Sequence, residues 1–298
     1  MTDGRETGGQ SGEAIRAGSS GPVARPRNVL AEIVASVRID LAAAKARLPR
    51  EQQARLAYDR APRGDLFAAA LARPGAINVI AECKRRSPSK GTLRRDYEPA
   101  RIARGYEAGG AAAVSVLTEA RFFGGAIDHL LDVSGAVRLP LLRKDFIVDE
   151  YQLLESRAAG ADAVLLIAAA LEDGELKDLI RRAGKHGLAA LVEVHDGWDL
   201  ERAIEAGAAI VGINNRDLRT LAVDVATSAR LFRLVPAGVI AVAESGIDSS
   251  ETLARLRACG YGAFLIGGHL MTSPDPGRAL RDLVRGLEGR SEPRGGDS

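Results

Sequence analysis

The sequence has only two cysteines, Cys83 and Cys259, in 298 residues. Two thiols so far apart give neither a disulfide framework nor a zinc-ligand spacing, and a reducing cytoplasm is the simplest setting for them. Aromatic residues make up 4% of the chain, which argues against an aromatic-rich β-sandwich or a lectin that stacks on sugars. The longest apolar run, Ala163 to Leu171, is too short for the ~20 residues of a membrane span. An excess of one charge is also missing. Lys and Arg number 41 against 39 Asp and Glu, which excludes a broad basic surface for nucleic acid and an acidic tail. The four histidines show no ligand spacing, and no P-loop or G-x-G-x-x-G fingerprint is present, so neither a metal nor a nucleotide cofactor is expected.

Small and aliphatic residues take the place of these. Hydrophobic residues make up 46% of the chain and glycines number 33, a composition suited to close packing of helices on strands. Residues 1–27 are rich in Gly and Ser with scattered charges, and read as a disordered extension without the apolar core of a secretion signal. From Asn28 the pattern changes. Val29, Leu30, Ile33, Val34, Val37 and Leu41 recur at helical spacing, predicting an amphipathic helix that continues to Arg47. A second helical segment spans about Asp65 to Leu71, and residues 291–298 read as a flexible tail.

After Pro74 a repeat begins, in which a glycine that ends a helix leads into a β-branched or small-residue run. Gly109 precedes Ala111–Val116, Gly160 precedes Ala161–Ile167, and Gly187, Gly207 and Gly260 precede Leu188–Val194, Ala208–Ile213 and Tyr261–Ile266. With Ile77–Ala81, Leu139–Leu142 and Gly238–Ala243 these make about eight strands, apolar on both faces and each followed by helical periodicity. About eight βα units in unbroken series predict a single α/β domain over residues 28–290, a (βα)8 TIM barrel with an N-terminal helical extension. An open doubly wound sheet is the alternative, weakened by the absence of its glycine fingerprint.

Chemistry in a barrel sits at the carboxyl ends of the strands. Those ends read Glu82-Cys83-Lys84, Arg143-Lys144-Asp145-Phe146, Glu193, Asn214-Asn215-Arg216, Glu244-Ser245-Gly246 and Gly267-Gly268. Glu82 and Lys84 share a face, as do Lys144 and Phe146, whereas Cys83 turns toward the helices. One charge at a strand end is ordinarily just the chain emerging into solvent; five at equivalent points imply one shared polar cavity. Lys144 beside apolar Phe146 is expected to have its pKa lowered by desolvation. The glycines and Ser245 of the last two ends suit an anion held on backbone N–H groups. The histidines read as surface or rim residues, with His195 the one closest to the cavity. Trp198 reads as a packing residue, and Arg85 and Arg86 as a solvated loop. These residues support acid–base chemistry on a small sugar phosphate without a cofactor, and leave lyase, isomerase and aldolase open; a barrel that only binds a phosphate ligand is the non-enzymatic alternative.

The strings Glu82-Cys83-Lys84-Arg85-Arg86-Ser87-Pro88-Ser89-Lys90-Gly91, Leu142-Arg143-Lys144-Asp145-Phe146-Ile147-Val148-Asp149, Leu191-Val192-Glu193-Val194-His195, Gly212-Ile213-Asn214-Asn215-Arg216-Asp217-Leu218 and Ala243-Glu244-Ser245-Gly246-Ile247 occur in order. This series resembles the indole-3-glycerol-phosphate synthases, from about Val29 to Leu287. The resemblance implies a cofactor-free carboxy-lyase of tryptophan biosynthesis. Its substrate would be 1-(2-carboxyphenylamino)-1-deoxyribulose 5-phosphate, closed to indole-3-glycerol phosphate with loss of CO2 and water. It implies that Lys144 is the general acid for the carbonyl, that Glu193 serves the later proton transfers, and that Lys84 competes for the acid role there. Glu82 and Asn214 would orient the intermediate and Glu244 would complete the polar network. Ser87, Ser245, Gly246, Gly267 and Gly268 would surround the phosphate. Arg216 would meet substrate anions, as Lys84 also would, and Phe146 would pack on the anthranilate ring. Gly268 stands where some family members carry Ser, and the Gly/Ser-rich start has no counterpart in the family pattern. A cytoplasmic monomer or weak homo-oligomer acting on a small sugar phosphate, with no nucleic acid or membrane partner, completes the expectation.

Overall fold

Eight runs of small and β-branched residues form eight parallel strands in the computed structural model, which describes Met1 and residues 29–61, 63–217 and 222–288. The segments assigned to the extension (after Met1) and to the C-terminal tail lie outside the described residues. The strands are β1 (Asn78–Cys83), β2 (Ala113–Leu117), β3 (Leu141–Lys144), β4 (Ala163–Ile167), β5 (Ala189–Val194), β6 (Ile210–Asn214), β7 (Ile240–Glu244) and β8 (Ala263–Ile266). Each pairs with its neighbours in sequence, and β1 pairs with β8 through Ala81↔Ile266, so the sheet closes. Closure excludes the doubly wound alternative. Gly160 (φ 94°), Gly187, Gly207 and Gly260 are left-handed after their helices, as expected. After the helix Pro99–Ala108 that role falls to Gly110, since Gly109 is itself right-handed, and the helix Ile127–Ala136 ends on extended Val137 instead.

The strand ends differ from the expectation in an instructive way. β1, β3, β6 and β7 run one or two residues further than their apolar patterns, so that Glu82, Lys144, Asn214 and Glu244 belong to the strands themselves. Their polar heads lie inside the barrel wall, not on a solvated rim: Glu82 is 3%, Glu193 1% and Glu244 1% exposed. Such burial is sustainable only because the groups face opposite charge. Cys83, between two inward residues, is fully buried against the first turn of the following helix, where its Sγ lies 3.9 Å from Pro99 O.

Three helices precede the barrel, α1 (Val29–Arg47), α2 (Arg50–Tyr58) and α3 (Gly64–Leu71). α1 buries Leu30, Ile33 and Val37, the stripe its spacing predicts. α2 was not anticipated, because its sequence REQQARLAY is polar almost all round. It is held from outside, through the helix Glu150–Ala158: Arg50 Nη2 donates to Glu150 Oε2 at 2.8 Å, and the Arg157 guanidinium lies 4.7 Å from the Tyr58 ring centre. Just ahead of α2, Tyr151 Oη donates to Leu48 O, and Lys45 pairs with Asp149 at 2.7 Å. These contacts fasten the extension across one side of the barrel and bring Val29 and Ile33 over its mouth.

Candidate active site

One cavity of about 470 Å³ opens at the carboxyl ends of the strands, and all thirteen residues singled out in the sequence line it. Its floor is apolar, with Leu117, Leu165, Ile167 and Leu265. Above that floor the charged residues converge. Lys144 Nζ donates to Glu193 Oε2 at 2.8 Å and lies 3.6 Å from Glu244 Oε2, while Lys84 pairs with Glu82 two residues before it. Asn214 hydrogen-bonds Glu193, and its Oδ1 accepts the Arg216 N–H at 2.9 Å.

Room for two of these carboxylates comes from glycines. A Cβ on Gly267 would overlap the Glu82 carboxylate, and one on Gly212 would overlap that of Glu244. Gly212 lies within β6, where a glycine ordinarily weakens a strand; here it marks the close approach of a side chain from β7. The sequence carried that signal, yet it was not read as part of the site.

Electrostatics overturn one expectation. Burial does act to lower the Lys144 pKa, but Glu193, Glu244 and Glu82 outweigh it and hold the ammonium well above the ordinary lysine range. Phe146 desolvates the site without neutralising the lysine. Burial would raise Glu193, and Lys144 and His195 more than reverse this, so its carboxyl stays low and ionised. Glu244 is pushed up by burial, which Lys144 opposes, and by the neighbouring Glu193 and Glu82. The cluster is therefore one cationic acid, one ionised carboxylate and one carboxyl that tends to keep its proton. Two environments drive the two glutamates apart, as acid–base division of labour requires.

The opposite wall is lined by Ser245, Gly246, Gly267 and Gly268. Ser245 sits in the left-handed region (φ 63°), a strained conformation for a residue with a side chain, and Gly246 follows at φ 76°. Asn215 holds this turn: its Nδ2 donates to Ser245 O at 3.0 Å, while its Oδ1 accepts from Ser228 N and Oγ. A side chain on Gly246 would press on Val225 and Val223 at 2.8 and 3.0 Å. Gly267 and Gly268 open the short helix Gly268–Thr272, whose first amides have no partner within the helix. Arg216, half-buried between these loops, has its pKa lowered by burial while Glu82 opposes that shift. Ser87 completes the rim from a two-stranded hairpin, Arg86–Ser87 with Gly91–Thr92, which the sequence pattern did not reveal. Arg85 and Arg86 are exposed there, as expected of a solvated loop.

Phe146 forms the apolar wall, 5% exposed, with its ring centre 6.1 Å from that of Phe123. The loop that carries it is pinned from behind. Arg143 points away from the cavity and donates through Nη2 to Asp145 Oδ2 at 2.9 Å and through Nη1 to Gln152 O, while Asp145 Oδ1 accepts the Phe146 N–H at 2.8 Å. Glu119 similarly accepts the N–H groups of Arg121, Phe122 and Phe123.

Three residues depart from their expected roles. Trp198, read as a packing residue, is 67% exposed at the start of the helix Gly197–Glu205. His195 and His186, read as surface or rim groups, are buried: the His195 side chain is 7% exposed because α1 and the helix Gly197–Glu205 close over it, and His186 is held by Glu150 and Tyr58. Among the described residues no group of His, Cys, Asp and Glu is arranged to hold a metal ion.

A cluster of lysines and glutamates facing a glycine-lined wall, at the carboxyl ends of a closed barrel, places the chain in the class of (βα)8 barrels with a polar cavity at that end. Among solved structures, the 3-hexulose-6-phosphate synthase of Salmonella typhimurium shares this fold with a TM-score of 0.57, at 14% identity over 71% of this chain and 99% of that one. The sequence relationship is narrower. The family model for indole-3-glycerol phosphate synthase matches residues 30–283. Indole-3-glycerol phosphate synthase 2 of Streptomyces coelicolor is 48% identical over 256 residues, 86% of this chain and 98% of that protein. The Chlorobium phaeovibrioides enzyme is 53% identical over 210 residues, covering 70% and 81%. The chain belongs to the indole-3-glycerol phosphate synthase family, and is thus a decarboxylating lyase of tryptophan biosynthesis.

Proposed function

We propose that this cavity closes the pyrrole ring of 1-(2-carboxyphenylamino)-1-deoxyribulose 5-phosphate, with Lys144 as the acid that starts the reaction. The observation that carries this reading is the Lys144–Glu193–Glu244 cluster, which favours a charged ammonium above the apolar floor of a cavity whose far wall suits a phosphate. The phosphate lies against Ser87, Ser245, Gly246, Gly267 and Gly268, with Arg216 and Lys84 neutralising substrate anions. The anthranilate ring lies on Phe146, placing its ring carbon near the carbonyl. Lys144 gives a proton to the carbonyl oxygen as the carbon–carbon bond forms. The carboxylate then leaves as CO2, and its bonding electrons restore the aromatic ring. The new hydroxyl departs as water with a proton from Lys84, while Glu193 takes a proton from the methylene carbon beside the nitrogen. Glu82 holds Lys84 in place, and Asn214 and Glu244 hold Glu193 and Lys144.

A monomer or weak homo-oligomer remains the reading of its assembly, and the exposed thiol of Cys259 fits a reducing cytoplasm. The test of the acid role is Lys144→Met, which keeps the length of the side chain and removes the proton. Turnover falls by at least ~100-fold with KM little changed, the usual contribution of a positioned acid. Unchanged turnover would refute the assignment.

A further inference from the structure

Three buried polar atoms in this region lack a hydrogen-bond partner: Glu193 Oε1, Glu244 Oε1 and His195 Nε2. Two of the three face each other, and the third, Glu244 Oε1, lies against Gly212. His195 Nε2 stands 3.5 Å from Glu193 Oε1, and its Nδ1 stands 3.6 Å from Asp199 Oδ2. The imidazole is therefore held between two carboxylates, one in the active-site cavity and one outside it. Asp199 is fixed in turn. Its Oδ2 accepts the His195 N–H at 3.2 Å, its Oδ1 lies 3.7 Å from Arg202 Nη1, and Arg202 Nη1 donates to Ala168 O. A separate cavity of about 230 Å³ lies on this outer side, and Leu30, His195, Trp198 and Arg202 are among its walls. His195 is thus the partition between that space and the catalytic cluster.

We propose that His195 is a positioning residue for Glu193, an imidazolium anchored by Asp199 that keeps Glu193 an ionised base after Lys144 has given up its proton. This rests on the proton-transfer roles proposed above. In the free enzyme Lys144 does most to hold Glu193 ionised, and His195 comes next. Once Lys144 has protonated the carbonyl oxygen it is a neutral amine. Glu193 then faces Glu244, a like group, with no cation on its Oε2, and without a second positive charge it would share a proton with that neighbour. His195 supplies that charge from the opposite side. Burial lowers the His195 pKa, but Asp199, Glu193 and Glu244 together outweigh it and raise it above the ordinary histidine value, which favours the charged ring. The charged groups around it are Glu193 and Glu244 on the barrel side and Asp196, Asp199, Arg202 and Asp217 on the outer side. His195 does not itself line the substrate cavity; it reaches the site through Glu193, which does.

The sign of the effect follows. A lost cation raises the pKa of Glu193 in the intermediate, so a variant without it is impaired at low pH and recovers as pH rises. The experiment is His195→Gln, which keeps an amide donor of similar reach but no charge, with kcat and kcat/KM followed between about pH 5.5 and pH 9. The expected result is a kcat roughly tenfold below the wild type at the acid end and within about twofold at the alkaline end, with KM within about twofold throughout. Asp199→Asn, which loosens the anchor, shows the same pH-dependent deficit in smaller measure, and serves in place of a His195 variant that fails to fold. A deficit equal at every pH, a change confined to KM, or no deficit overturns the proposal. If the wild-type chain forms no indole product, the catalytic reading fails first and is distinguished by that control.

Discussion

Glu244 sits in the barrel wall beside Glu193, and only one of the two carboxyls can be ionised cheaply. Burial, Glu193 and Glu82 push the Glu244 pKa up to about 8 despite the attraction of Lys144. In the unfolded chain the same group ionises near 4.5. Between those values the native state binds more protons than the unfolded state, so this group's contribution to stability is present at low pH and is lost as pH rises through about 8. Glu244→Gln removes that titration. The expected outcome is that denaturant unfolding of the variant gains on the wild type steadily from pH 5 toward about pH 8. Parallel stability curves would show that Glu244 does not hold its proton. The same contrast explains why Lys144 could not be judged from its sequence neighbours. Phe146, two residues away, predicts a desolvated and weakened ammonium. The carboxylate 2.8 Å away comes from a strand 49 residues further on, and it decides the outcome.

Among the elements, the strand-end loops hold the site, and their supports lie on the outer face. Arg143 is the largest of these, a 5% exposed guanidinium that joins Asp145 to the backbone of the helix Glu150–Ala158 and so fixes the loop bearing Phe146. Truncation by Arg143→Ala leaves Asp145 buried without its partner. We expect a loss of ~3–5 kcal/mol in denaturant unfolding, the cost of breaking one side of a buried pair. A loss below ~1 kcal/mol would place Arg143 with ordinary surface ion pairs. The alternation of Arg143 outward and Lys144 inward was legible in the sequence, because strand periodicity is local. So were the eight strands and α1, whose apolar spacing is regular. The polar helix α2 and the hairpin Arg86–Ser87 with Gly91–Thr92 were not. α2 carries no apolar stripe of its own and depends on ion pairs and Tyr151 contributed by residues about a hundred positions away, and the hairpin is too short to show alternation. Burial of His195 was hidden for the same reason, since its covering residue Leu30 belongs to α1.

Across the whole molecule, a net charge of +2 conceals a strong local order. The strand ends and the loops that follow them bring Glu82, Glu193, Glu244, Lys84, Lys144 and Arg216 to one cavity, with Gly246, Gly267 and Gly268 also in its lining. That placement was readable because closure of the barrel forces equivalent strand positions together, whichever residues occupy them. The pairings inside the cavity were not readable, since they depend on which strands face each other across it. The identity of the reaction rests on both levels, and its carbon balance tests them together. Ring closure expels the carboxylate carbon, so product and CO2 must form in equal amounts. The decisive measurement is therefore conversion of 1-(2-carboxyphenylamino)-1-deoxyribulose 5-phosphate by the folded chain, following indole fluorescence and released CO2 in the same sample. Equal yields of indole-3-glycerol phosphate and CO2, without added cofactor, are the predicted result. Folded protein that binds this substrate and releases neither product would contradict the account.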